Sequence, residues 1–211
     1  MSRETLSQQA CRLIRDEINA GLIAPNSILT ERDLAERLGI SRTPLRSALS
    51  VLEREQVIER MANGALLVRR IAIEQLLDII QLRLILERAA AVRAAEFGLT
   101  PELEAARARQ LRYLKADPAN FESFWIDDSE FHRAVALAAR LKLLPELLDE
   151  QRAIVRRSTI IRSHDNFADQ AREHIAVIDA IAARDPEAAG AEMAQHFKHM
   201  RARTLGWLDK D

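Results

Sequence analysis

A mainly α-helical chain in two parts is what the sequence predicts, and three observations predict it. The first is punctuation. Among 211 residues there are only six Gly and six Pro. In "LTP", "ADP" and "RDP", Thr100, Asp117 and Asp185 stand as N-caps ahead of Pro101, Pro118 and Pro186, at the first helical position, where a missing N–H costs nothing. The second is period: beyond residue 70, apolar residues recur at three and four, as in Ile73, Leu76, Leu77, Ile80, Leu84 and Ile85, which marks one face of a helix. The third is a single change of period in "QVIERMANGALLVRR". There, two short strands, roughly 57–61 and 65–69, flank Asn63-Gly64, the dipeptide suited to a tight hairpin turn.

In chain order, Leu6 to Ala20 reads as one amphipathic helix. "LTERDLAERLG" gives Thr30 as N-cap, Asp33 three later as an acidic variant of the capping box, and Gly39 as the stop. "ISRTPLRSALSVLERE" begins a third helix at Ser41, with Leu45, Ala48, Leu49 and Leu52 on one stripe. Three helices and a hairpin make a winged helix-turn-helix, placed at residues 1–70. Residues 71–211 form the second part, an antiparallel bundle of roughly six helices by loop length.

With 48% apolar residues the chain can fill a core in either part. The formal charge of -1 excludes a global polyelectrolyte attraction to nucleic acid and leaves a local patch to supply it. Residues 1–70 carry 11 Lys and Arg against 9 Asp and Glu, a net +2, and residues 71–211 carry 20 against 23, a net -3. Cys11 is the one cysteine, which rules out an intramolecular disulfide and fits a reducing compartment. Neither a signal-peptide run nor a membrane-length apolar run is present, so a soluble cytoplasmic protein is expected.

In a helix-turn-helix the third helix enters the major groove with its N-terminal residues foremost, braced by the helix before it. The first exposed positions here are Ser41, Arg42, Thr43 and Arg46. Arg42 and Arg46 share a face and can meet guanine edges or successive phosphates, while Ser41 and Thr43 can donate to phosphate. Arg32 would reach the backbone from the bracing helix, and the tip at Asn63-Gly64 would approach the minor groove. Set against this, exposed arginine on a helix is often only a solvated face.

"LTERDLAERLGISRTPLRSALSVLE" resembles the DNA-binding domain of the GntR superfamily of bacterial transcription regulators. The resemblance implies that Arg32, Arg42 and Arg46 are the principal DNA-contacting arginines, supported by Ser41, Thr43 and Gly64. This chain departs from the family at Asn26 and Gln56, where Gly is usual, and at Ser47, where Glu is frequent. Asn tolerates the left-handed conformation, so Asn26 is a mild change; Gln56 is expected to alter how the wing is set.

All five histidines follow residue 130. In "WIDDSEFHRAV", Asp128 and His132 are four apart, about 40 degrees on a helical wheel; Asp127 points about 100 degrees away. His174 and His196 each lie eleven residues from Asp185, so two antiparallel helices turning there set them side by side. Ligands of O, N, N, N type suit a divalent transition metal, zinc first, with nickel or manganese also accepted. Spacing alone leaves open that each histidine is a lone polar residue on a helix face. "DDSEFH", "EHIAVIDAIAARDPEAAGAEMAQH" and "RLILERAAAVRAA" are similar to the all-helical, FCD-type ligand-sensing domain of the FadR-like subfamily. That resemblance implies a metal on Asp128, His132, His174 and His196, and a small organic acid paired with Arg83. It also marks a departure, Arg140-Leu141 where many relatives have Gly-Asn. His199 stands as a neighbour or spare ligand, and His164 as a surface residue.

The function expected is a metabolite-responsive, homodimeric transcription regulator, a repressor, which binds operator DNA and responds to a small organic acid. Dimerisation is expected because one recognition helix reads too few base pairs. Two alternatives fit the same residues. One is a helical metalloenzyme using the same Asp and three His, with Asp127 and Glu130 nearby in sequence. The other is an architectural DNA-binding protein whose bundle only dimerises.

Overall fold

Thr5 starts helix α1 (Leu6–Asn19) with a full capping box, its hydroxyl accepting from the Gln8 N–H while the Gln8 side chain accepts from the Thr5 N–H. This helix opens the first of two compact units, Met1–Ile71 and Ala72–Asp211, in a computed structural model that describes residues 4–115, 121–156, 158 and 167–208. Helix α2 (Glu31–Leu38) begins at Thr30, whose hydroxyl accepts from the Asp33 N–H at 3.1 Å, and ends at Gly39 in the left-handed region. Only that half of the expected box forms, and the Asp33 carboxylate lies 3.9 Å from Arg32 instead. Helix α3 (Arg42–Arg54) begins at Ser41 by backbone geometry, but the Ser41 hydroxyl makes no capping bond.

The hairpin differs from the tight turn expected of Asn63-Gly64. Strands β2 (Ile58–Arg60) and β3 (Leu66–Val68) pair antiparallel with Arg60 opposite Leu66. The Met61 N–H donates to Ala65 and the Gly64 N–H to Met61, and Gly64 alone of the dipeptide has positive φ, +82°. This is a three-residue loop closed by a left-handed glycine. Asn63 keeps negative φ because its side-chain oxygen accepts from the Ala65 N–H at 3.0 Å, a local bond that holds the turn open. A third strand, β1 (Ile28–Leu29), pairs antiparallel with β3 and makes the sheet order β1-β3-β2; two residues are too few to show a strand period. Ile14, Leu34, Leu45, Leu49, Ile58 and Leu66 join in one core beneath the three helices and the sheet.

The second unit contains, among the described residues, six helices: α4 (Ile73–Phe97), α5 (Pro101–Arg112), α6 (Phe121–Ala138), α7 (Leu144–Arg156), α8 (Phe167–Ala182) and α9 (Pro186–Leu208). Thr100 caps α5 and the Asp185 carboxylate accepts from the Ala188 N–H at 2.9 Å in the first turn of α9. Asp117-Pro118 and His164 lie outside the described residues. Helix α9 packs against α4 and α8, and α6 packs against α4, α5 and α7. Gly190 sets how closely α9 lies on α4, since a Cβ there would stand 2.7 Å from Val92 Cγ2.

On α4 the buried stripe is not the one the apolar residues trace. Leu76, Ile79, Ile80, Arg83, Glu87 and Ala90 are buried, whereas Leu84 is only half-buried and Ile85 is 59% exposed. Two charged residues take the inner face because they have partners there.

Candidate functional site

In the first unit, the exposed end of α3 carries the residues singled out for DNA. Ser41, Arg42, Thr43 and Arg46 are all exposed. Arg42 makes no ion pair among the described residues. Arg46 donates through Nε to Glu31 Oε2 at 2.9 Å, which leaves the outer edge of its guanidinium toward solvent. Glu31 also accepts from Arg60 at 2.8 Å, and Arg60 in turn reaches Glu53 at 2.8 Å. The Arg46 hydrogen bond, against partial burial and with help from Arg60, holds the Glu31 carboxyl below its ordinary range. Arg32 extends from α2 into solvent, with 78% of its side chain exposed. Gly64 is exposed at the tip, with open space where a side chain would stand.

In the second unit, α6 presents Asp128 and His132, α8 presents His174, and α9 presents His196. All four are buried. The three imidazoles have ring centroids 4.7 to 5.5 Å apart, and one nitrogen from each lies within 4.8 Å of the others. Asp128 Oδ1 is 3.4 Å from His174 Nε2 and 3.7 Å from His132 Nε2. The α8–α9 hairpin thus brings together residues 22 apart in sequence with the pair from α6.

The partners of these groups set their chemistry. Burial would raise the Glu87 carboxyl, but Arg83 and His132 overcome it and hold it at about 2. Glu173 is held at about 2 in the same way, burial being outweighed by His196 and Arg203. Both carboxylates are therefore ionised and can only accept. His132 Nδ1 meets Glu87 Oε2, and His196 Nδ1 meets Glu173 Oε2 at 2.8 Å, so each Nδ1 donates to its carboxylate and Nε2 is the ring nitrogen left without a partner. Burial drives His174 well below its ordinary range and lowers His196 also, the latter against the pull of Glu173. His174 is held by stacking on Phe131, with centroids 4.0 Å apart. Burial would raise Asp128, yet Arg152 on its Oδ2, with the imidazoles, keeps it ionised well below the usual carboxylate range.

Asp128 Oδ1, His132 Nε2, His174 Nε2 and His196 Nε2 are thus buried with no hydrogen-bond partner, the three histidines clustered and Asp128 beside two of them. A buried polar atom left unpaired costs about 1–3 kcal/mol, and native interiors rarely leave even one. Donor atoms about a zinc ion with bonds near 2.0–2.1 Å stand about 3.3 Å from one another. The Asp128 contacts with His174 and His132, at 3.4 and 3.7 Å, are near that spacing, while the three imidazole nitrogens, within 4.8 Å of one another, would draw in around an ion; the donor set fits a metal ion.

Other candidates fall elsewhere. Asp127 is buried but turned toward α5, where its Oδ2 accepts from the Tyr113 hydroxyl at 2.6 Å and from Arg112 at 2.8 Å. Glu130 is half-exposed, 3.6 Å from Arg109. His199 binds Glu173 Oε1 through Nδ1 at 2.8 Å and is 43% exposed, so its ring serves the carboxylate that orients His196. Arg83 is buried, donating to Glu87 at 2.8 Å. Sequence reasoning missed Glu87, Glu173, Arg152 and Arg203. Glu87 had a signal, standing four residues after Arg83 on one helix face; Arg152 had none, since "DEQRAIVRR" reads as a solvated charge run.

A small winged helix-turn-helix joined in one chain to a helical bundle with a buried Asp/His cluster defines a two-domain regulator of transcription. Residues 6–68 match the family described as bacterial regulatory proteins, gntR family, and residues 78–199 match the FCD domain; the chain belongs to the GntR family, in its FCD-containing branch. It is 29% identical over 230 residues to YcbG, an uncharacterized HTH-type transcriptional regulator of Bacillus subtilis (strain 168), covering 100% of this chain and 94% of that protein. It is 25% identical over 203 residues to the HTH-type transcriptional repressor RspR of Escherichia coli (strain K12), covering 93% of this chain and 88% of that one. The solved structure of E. coli McbR/YncC has the same fold, with a TM-score of 0.75 at 20% identity over 97% of this chain and 99% of that chain. These are transcription regulators, and the metalloenzyme alternative has no counterpart among them. Among the described residues no helix is long and apolar enough to cross a membrane.

Proposed function

We propose that this regulator is a cytoplasmic repressor that binds a two-half-site operator as a homodimer, carries one divalent metal ion per chain, and changes its hold on DNA when a small organic acid binds. The domain assignment follows the two compact units. Residues 1–70 read DNA, and residues 71–211 bind the effector and dimerise.

Arg42 and Arg46 are the base- or phosphate-reading pair, with Arg32, Ser41, Thr43 and the Gly64 tip on the backbone and minor groove. The exposure of all six, and a guanidinium pre-set by Glu31, support this reading. Asp128, His132, His174 and His196 hold the metal, zinc by preference for a compact set of three nitrogens and one oxygen. Bound there, the ion supplies a Lewis-acidic position for a carboxylate oxygen. Arg83 receives the acid, and Glu87 and Glu173 keep the imidazoles turned.

The observation that carries the reading is the cluster of three buried histidines with Asp128 Oδ1 beside two of them, each offering a buried, unpartnered atom. Elemental analysis of the purified chain, supplied with zinc, should give about one metal per chain. His132→Ala and His196→Ala should each lose it, and a wild type that takes up none would sink the metal site.

A further inference from the structure

We infer that the acid sensed is an apolar monocarboxylate with one ring or a short branched chain, rather than a hydroxylated or doubly charged acid; this rests on the acid-sensing reading above. The inference comes from a cavity between α4, α6, α7, α8 and α9, bordered by Asp128 on the side of the histidines. Three arginines line it, but their donors are not equally free. Arg152 already serves Asp128 and Ser129, and Arg203 serves both oxygens of Glu173. Arg83 gives Nε to Glu87, while one of its terminal nitrogens is buried with no partner. Each of the three is paired with a carboxylate, Glu87, Asp128 or Glu173, so none has a spare charge for a second anionic group, and the buried, unpartnered nitrogen of Arg83 marks the place of one carboxylate.

The rest of the wall is apolar. Phe121, Phe124, Trp125 and Phe167 line it with Val155 and Met200. Thr204 spends its hydroxyl proton on the Met200 carbonyl, at 2.9 Å, and Gln170 is the other uncharged polar side chain among the described lining residues. Hydroxyl groups of a sugar acid would leave water for a wall on which Gln170 and the Thr204 oxygen are the uncharged polar groups and the arginines and Asp128 are already ion-paired. The cavity volume of about 40 Å³ holds roughly three waters at ~10–15 Å³ each, and three waters displace about 90 Å³ of liquid. That is the bulk of one six-membered ring, and too little for a long acyl chain.

The experiment titrates the full-length, zinc-loaded protein with benzoate, 3-methylbutanoate, gluconate and succinate, read by calorimetry and by tryptophan fluorescence. Benzoate and 3-methylbutanoate should bind at least ~10-fold more tightly than gluconate or succinate. Val155→Thr, which keeps the shape and adds a hydroxyl to the wall, should weaken benzoate several-fold with zinc content unchanged. Arg83→Gln should abolish benzoate binding. Gluconate or succinate binding as tightly as benzoate overturns the inference and leaves acid sensing standing. Protein that holds zinc yet binds none of the four acids removes acid sensing and, with it, this inference.

Discussion

Glu173 touches His196, His199 and both outer nitrogens of Arg203, so one carboxylate fixes the tautomer of a ligand that it does not accompany to the metal. Glu173→Gln keeps the size but removes the charge that makes Nδ1 the protonated nitrogen. Losses of about 10–100-fold in metal affinity are typical when such an orienting group is changed. Chelator competition should find a loss in that range, and wild-type affinity would show that Glu173 only packs. At the other end of the chain, Arg46→Ala should weaken operator binding by about 5–150-fold if its guanidinium reads a base, and should lower the salt slope by about one if it neutralises a phosphate. Titrations at several salt concentrations separate the two; unchanged affinity and slope would remove Arg46 from the interface. The meeting of Asp128, His132, His174 and His196 was legible, because a four-residue spacing and two equal distances from the Asp185 turn place them together. The carboxylates and arginines behind them were mostly illegible, because a charged residue looks the same in sequence whether it is solvated or paired in a core.

Helix ends show where local chemistry and fold disagree. Gln56 (φ 56°) follows α3, and Arg140 (φ 58°) follows α6, each in the left-handed region, where a side chain costs about 1–2 kcal/mol. Both stand in a helix-ending pattern in which the next N–H reaches back five residues, Val57 to Leu52 and Leu141 to Ala136. The Gln56 side chain makes no hydrogen bond or ring contact among the described residues, whereas the Arg140 guanidinium lies 3.9 Å over the Phe97 ring, a contact worth about 0.5–1 kcal/mol at an exposed site. Gln56→Gly should therefore raise stability by about 0.5–1 kcal/mol after the added freedom of the unfolded chain is counted. Arg140→Gly should come out near neutral, because relief of strain is offset by loss of the stacked cation. Urea unfolding of both variants tests the contrast; a destabilised Gln56→Gly would mean that its side chain has a role at the wing. Caps and breaks were legible because Thr30, Gly39, Thr100 and Asp185 act within one turn. The inner face of α4 was not, because Leu84 and Ile85 fit the apolar period while Arg83 and Glu87 occupy the core for reasons that lie on α6 and α9.

Across the whole molecule, the two units must be joined by a free-energy coupling if the acid is to control DNA binding. An effector shifts an equilibrium only by its unequal affinity for the two states, and the coupling is reciprocal. If saturating benzoate raises the operator dissociation constant of the zinc-loaded protein by some factor, saturating operator must raise the benzoate dissociation constant by the same factor. For a coupling of about 1–3 kcal/mol the factor is roughly 5–150. Both titrations can be done on one preparation, by fluorescence anisotropy of labelled operator and by calorimetry of benzoate. Chelation of the metal should then remove the effect of benzoate on operator binding while the Arg42 and Arg46 surface keeps its affinity for DNA, since that surface is built on a separate core of Ile14, Leu45 and Leu66. Benzoate that binds but leaves operator affinity unchanged would make the cavity a structural acid site. Operator binding that collapses on chelation, with or without benzoate, would instead place the metal in the architecture that presents the two recognition helices.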